Sequence, residues 1–177
     1  MTRTAIVTGA GSGIGRSVAE LLVREGGSVV AADLTDEHLA WCSGIDRIVP
    51  AAADVTAADA NDALVSLAVE SFGGLDAVVL NAGISMSGTI ESLPMEDFDR
   101  AVDVNVRAVA RGIRAAAPAM RVRGGGAIAI TASTSGQRGD PAMWAYNASK
   151  AAVINLARSA ALDLGAEDIR VNVVCPG

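Results

Sequence analysis

Thr8-Gly9-Ala10-Gly11-Ser12-Gly13-Ile14-Gly15 is the stretch from which the rest of this chain can be read. It follows the apolar run Thr4–Thr8 and opens a helical stretch near Gly13. Glycines at these spacings let the backbone turn sharply after a strand. They also let a pyrophosphate approach the free N–H groups at a helix N-terminus. A glycine-rich turn alone is a weak signal, but a strand before it and a helix after it supply the context the pattern needs. A second apolar run, Ser28–Ala32, ends beside Asp33, eighteen residues beyond Gly15. That is close to the roughly 20-residue offset of an acid that accepts hydrogen bonds from an adenosine ribose. A carboxylate there repels a 2′-phosphate, and neither Ser12 nor Leu34 supplies a cation. The sequence therefore favours NAD over NADP.

Outward from this unit, short β-branched runs alternate with longer helical stretches. Strands are predicted at Thr4–Thr8, Ser28–Ala32, Arg47–Ala52, Ala77–Leu80, Ala127–Thr131 and Arg170–Val174. Helices are predicted to begin near Gly13, Thr35, Thr56, Pro94 and Ala145. Nearly continuous apolar strands belong to a parallel sheet buried on both faces. The alternation implies right-handed crossovers and an α/β, doubly wound, three-layer domain. One helix runs from Pro94 to about Arg121, with Val102, Val106, Val109, Ile113 and Ala117 on its apolar face. The helix from Ala145 to about Leu164 is apolar nearly all round and wants burial on both sides. The sheet can supply one side and a second subunit the other, so a homodimer or homotetramer through the two long helices is expected.

The chain has 177 residues, 51% of them hydrophobic and 19% charged, which suits one domain with a sizeable core. A net charge of −6 argues against a nucleic-acid surface. Cys42, Cys175 and the lone His38 make neither a zinc site nor a disulfide framework, so no metal is expected. No apolar run approaches a membrane span, and the passage from Arg3 into the glycine cluster is no signal peptide. A cytoplasmic location follows as the default expectation.

The single tyrosine and the single lysine stand four residues apart, at Tyr146 and Lys150. Residues i and i+4 share a helix face and are in reach of each other. A nearby ammonium favours the phenolate of a tyrosine, whose ordinary pKa is about 10. Such a pair can exchange a proton with an alcohol or a carbonyl. The remaining cations are all arginine, whose rigid fork is a poor substitute for a compact ammonium.

With these residues in place, the chain resembles the short-chain dehydrogenase/reductase family over essentially its whole length. The resemblance is carried by Thr8 to Gly15, Asp54-Val55, Asn81-Ala82-Gly83, Asn105, Ser133, Tyr146-x-x-x-Lys150 and Pro176-Gly177. It implies a Rossmann-type domain over residues 1–177 and a nicotinamide cofactor. The cofactor would be held by Gly9, Ser12, Gly13, Ile14, Gly15, Asp33, Asp54, Val55, Asn81, Ala82, Gly83, Tyr146, Lys150 and Pro176. It implies Asn105, Ser133, Tyr146 and Lys150 as the catalytic set. In it Tyr146 would move the proton, Lys150 bind ribose hydroxyls, Ser133 hold the substrate oxygen, and Asn105 hold a water. Thr134 and Ser135 are rival hydroxyls to Ser133, and an asparagine within a helix is ordinarily a polar-face residue.

The implied reaction is hydride transfer between the nicotinamide and a secondary alcohol or ketone of small to medium size. Ile84, Ser85, Met86, Gln137, Arg138, Met143 and Trp144 are the expected pocket lining, with Arg138 a candidate partner for an acidic substrate. Family members continue past Pro176-Gly177 into a substrate lid and a last strand, so the sequence reads as lacking both. This leaves a non-catalytic NAD-binding or interaction module as the alternative expectation.

Overall fold

The computed structural model describes residues 3–177. Six strands form one fully parallel sheet: β1 (Thr4–Thr8), β2 (Ser28–Asp33), β3 (Ile48–Ala52), β4 (Ala77–Leu80), β5 (Gly126–Thr131) and β6 (Ile169–Val174). Their spatial order is β3-β2-β1-β4-β5-β6. Alternate residues of each strand enter opposite cores, as the pleat requires. Ile6, Val30 and Ala32 face one, while Val7, Val29 and Ala31 face the other. The first core is closed by α2 (Ala60–Phe72), α4 (Ala108–Val122) and α5 (Trp144–Leu164). The second is closed by α1 (Gly13–Arg24) and a 3-10 helix at Glu37–Cys42. This is the doubly wound α/β architecture that the strand–helix alternation predicts. All five residues of β1 are buried, and each Val or Ile so buried contributes about 1.5–3 kcal/mol.

Three helices differ from the sequence expectation. The helix expected near Thr35 is only the short 3-10 segment Glu37–Cys42. The helix expected near Thr56 begins at Ala60. Asp54 explains the delay: its Oδ1 accepts from the Thr56 N–H at 2.9 Å and the Thr56 hydroxyl at 2.7 Å, an Asx turn that competes with helix. The helix expected to run unbroken from Pro94 is instead α3 (Met95–Val102), a π turn at Asp103–Arg107, and α4. A π turn inserts a residue and rotates the following face. Ala101 and Asn105 are buried before or within it, Val109, Ile113 and Ala117 after it, and Val102 and Val106 are only half-buried.

Candidate functional site

The strand order reverses between β1 and β4, and a cavity of about 1260 Å³ opens at the carboxyl ends there. Open α/β sheets bind ligands at this kind of reversal. Gly9 leaves β1 with a φ of +65°, and a Cβ there would stand 2.9 Å from the Ala82 Cα. A Cβ on Gly15 would stand 2.1 Å from the Gly9 carbonyl oxygen. Gly15 thus lets α1 press against the turn and does not itself line the cavity. Ser12, Gly13 and Ile14 do line it. The Ser12 side chain makes no capping hydrogen bond, and the first turn of α1 carries no acid. The positive end of that helix is left for an outside anion.

Thr8, Asn81 and Thr131 bind the ends of three strands together. The Thr8 hydroxyl accepts from the Asn81 and Ala82 N–H groups at 3.0 and 3.1 Å. The Asn81 amide donates to the Thr8 carbonyl at 3.1 Å, and its Oδ1 accepts from the Thr131 hydroxyl at 3.1 Å. Thr131 then accepts at its carbonyl from Lys150 Nζ at 2.8 Å. Asn81, Ala82 and Gly83 all reach the cavity wall.

At one end of the cavity lie Asp33, Leu34, His38, Asp54 and Val55. Asp33 Oδ2 accepts from the Gly11 N–H at 2.8 Å, and Oδ1 from the Leu34 N–H at 2.8 Å. His38 Nδ1 stands 2.7 Å from the same Oδ1. Burial alone would raise the Asp33 carboxyl, but the bond from His38, those from Gly11 and Leu34, and the His38 charge outweigh it and hold the pKa down. The Thr56 hydroxyl and N–H likewise hold Asp54 low, against a smaller effect of burial. His38 is the single histidine of the sequence. Its only sequence signal is its place five residues past Asp33, in a segment that folds back over the turn.

At the other end lie Thr131, Ser133, Tyr146, Lys150 and Pro176. Lys150 is 5% exposed, and its Nζ stands 5.6 Å from the centre of the Tyr146 ring. Burial pushes its ammonium below the ordinary lysine range. Of the rival hydroxyls, Ser133 lines the cavity, whereas Ser135 donates to Asp140 at 2.6 Å and neither it nor Thr134 reaches the wall. Asn105 is 1% exposed, not a polar-face residue. Its amide closes two 2.8 Å bonds with the Ile84 backbone and donates to Ser149 Oγ at 3.0 Å. It stands behind the wall and fixes the loop after β4.

Of the expected substrate-pocket residues, Ile84 and Ser85 line this cavity. Met86, Gln137, Arg138, Met143 and Trp144 do not. Trp144 stacks on Phe98 at 5.1 Å and donates to the Thr89 carbonyl, and Arg138 is paired with Asp140 at 3.1 Å. Among the described residues, no group of three His, Cys, Asp or Glu is placed to hold a metal ion. No helix there is long and apolar enough to cross a membrane.

The family model for short chain dehydrogenases matches residues 3–177. The chain is 39% identical to 2-(R)-hydroxypropyl-CoM dehydrogenase of Xanthobacter autotrophicus, covering 100% of this chain and 74% of that protein. It is 40% identical to 3-alpha-(or 20-beta)-hydroxysteroid dehydrogenase of Mycobacterium bovis, over 99% and 68% of the two. A crystal structure of a short-chain type dehydrogenase/reductase from Mycobacterium marinum superposes with a TM-score of 0.93 at 36% identity, covering 99% of this chain and 72% of that one. A glycine turn under a sheet reversal, a tyrosine and a buried lysine sharing one cavity, and these likenesses point one way: the chain belongs to the short chain dehydrogenase family.

Proposed function

We propose that the protein oxidises a secondary alcohol, or reduces the matching ketone, with NAD as the preferred cofactor. The observation that carries this is Lys150: a buried cation bonded to a main-chain carbonyl, in the same cavity wall as Tyr146. The residues present fit an adenine dinucleotide. The uncapped end of α1 suits its phosphates and Asp33 suits ribose hydroxyls. The bound nicotinamide would supply the hydride chemistry. Tyr146 takes the alcohol proton in the oxidising direction and returns it in the reducing one. Lys150 gives one donor to Thr131 and keeps others for ribose hydroxyls. Ser133 holds the substrate oxygen. Asn105 positions the loop that carries Ile84 and Ser85. Tyr146→Phe should lower alcohol-dependent NAD reduction by at least about a hundredfold and leave dinucleotide affinity within a few-fold. Turnover within tenfold of wild type would overturn the role.

Asp33 supports NAD over NADP, and equal affinity for both would sink that preference. The relatives named above are a 2-(R)-hydroxypropyl-CoM dehydrogenase and a 3-alpha-(or 20-beta)-hydroxysteroid dehydrogenase, so a small-to-medium alcohol is the substrate class proposed. A homodimer or homotetramer is part of the reading. Ala148, Ala151, Ala152, Asn155, Ser159 and Leu162 of α5 are exposed, a face of mostly small side chains that a second copy can cover. Sedimentation at micromolar concentration should show a dimer or larger, and a monomer alone would count against it.

A further inference from the structure

The adenosine end of the cavity holds a group that the proposed reaction leaves without a role. His38 Nδ1 meets Asp33 Oδ1 at 2.7 Å, and its side chain is 54% exposed. A carboxylate can only accept, so Nδ1 carries the proton and donates. Gly11 makes the room: a Cβ there would stand 2.7 Å from the His38 Cβ and 2.9 Å from Asp33 Oδ2. A carboxylate offers about four lone-pair sites. The Gly11 N–H, the Leu34 N–H and His38 already engage three. A ribose diol brings two more hydroxyls to the same group, so His38 competes with it for Asp33. A 2′-phosphate meets instead a carboxylate whose charge the imidazole can offset. Among the described residues His38 is the only basic side chain bonded to Asp33. Lys150 donates to Thr131, and Arg100 acts on Asp54.

Resting on the reading of Asp33 as the ribose acceptor, we propose that His38 is a specificity-determining residue that blunts the NAD preference Asp33 creates. When charged, it opens the site to NADP. Charged groups around it are Asp33 at the end of β2, Glu37 beside it on the 3-10 helix, and Arg16 of α1. Arg16 is paired with Glu20 and stacks at 4.9 Å on Trp41 of that short helix.

The test is fluorescence titration of NADH and NADPH with the full chain, His38→Gln, His38→Leu and Asp33→Ala. Glutamine keeps a donor for Asp33 and removes the charge. His38→Gln should bind NADPH about tenfold more weakly than wild type. His38→Leu, lacking also the competing donor, should match or exceed wild type in NADH affinity. A wild-type-like NADPH affinity of His38→Gln overturns the proposal. Asp33→Ala separates the two readings. If it leaves the NADH/NADPH ratio unchanged, the ribose assignment fails. If it erases the ratio while His38→Gln matches wild type, only the role of His38 fails.

Discussion

Lys150 holds an ammonium in the wall of the cavity, bonded to the Thr131 carbonyl and to no carboxylate. Burial lowers its pKa in the folded chain, so the unfolded chain binds that proton more tightly. The destabilisation is fully present below the lowered value and is relieved as pH rises through it toward the ordinary lysine range. Lys150→Met should accordingly be more stable than wild type at pH 7, by up to about 2 kcal/mol, while losing turnover. The stability gap should close as pH is raised toward 10, which thermal unfolding across pH would show. A variant clearly less stable at pH 7 would mean that the ammonium is better solvated than its burial suggests. At this scale the sequence was legible where chemistry is local. Tyr146 and Lys150 announce themselves by helical spacing. His38 and Thr131 do not, because what each touches depends on where separate segments come to rest: Asp33 for one, Asn81 and Lys150 for the other.

The π turn at Asp103–Arg107 sets how the long helical stretch faces the site. It turns Asn105 inward, where its side chain pairs with Ile84 much as a neighbouring strand would. Asn105→Ala would leave the Ile84 N–H and carbonyl without those partners. We expect a loss of about 2 kcal/mol in urea unfolding, together with faster amide exchange at Ile84. Unchanged exchange there would mean that the loop is held by other contacts. The strands lie within a residue of their predicted bounds because unbroken apolar runs leave few alternatives. The π turn was not legible: Val102, Val106 and Val109 look periodic through it, and one inserted residue hardly disturbs an apolar pattern. The shortened helix after Thr35 and the late start of α2 were hidden for a related reason. Side chains such as Asp54 divert the backbone locally while the apolar spacing continues.

For the molecule as a whole, Asp76 ties distant parts together. It stands just before β4, accepts from the Thr4 N–H of β1 at 2.7 Å, and accepts from Arg123 beyond α4 at 3.0 Å. Burial would raise its pKa, but Arg123 and Thr4, with a smaller contribution from the Arg3 charge, outweigh that and hold it below the ordinary carboxylate range. A carboxylate held low lends stability above its unfolded value, and that stability fades as pH falls through the folded one. Asp76→Asn should therefore be less stable by about 1 kcal/mol at pH 7, and the two proteins should converge in acid, once pH falls below the lowered value. A gap that persists in strong acid would show that shape, not charge, makes the tie. The doubly wound topology was legible from strand–helix alternation, and the outline of the cavity from the residues that end each strand. The hydrogen-bonded line from Gly9 through Asn81 and Thr131 to Lys150 was not, because it exists only once β1, β4 and β5 lie side by side. With those three ends locked, the anion-ready turn and the buried amine cannot drift apart or together. The cavity is a gauge of fixed length, and a molecule that fills only half of it leaves the other half unregistered.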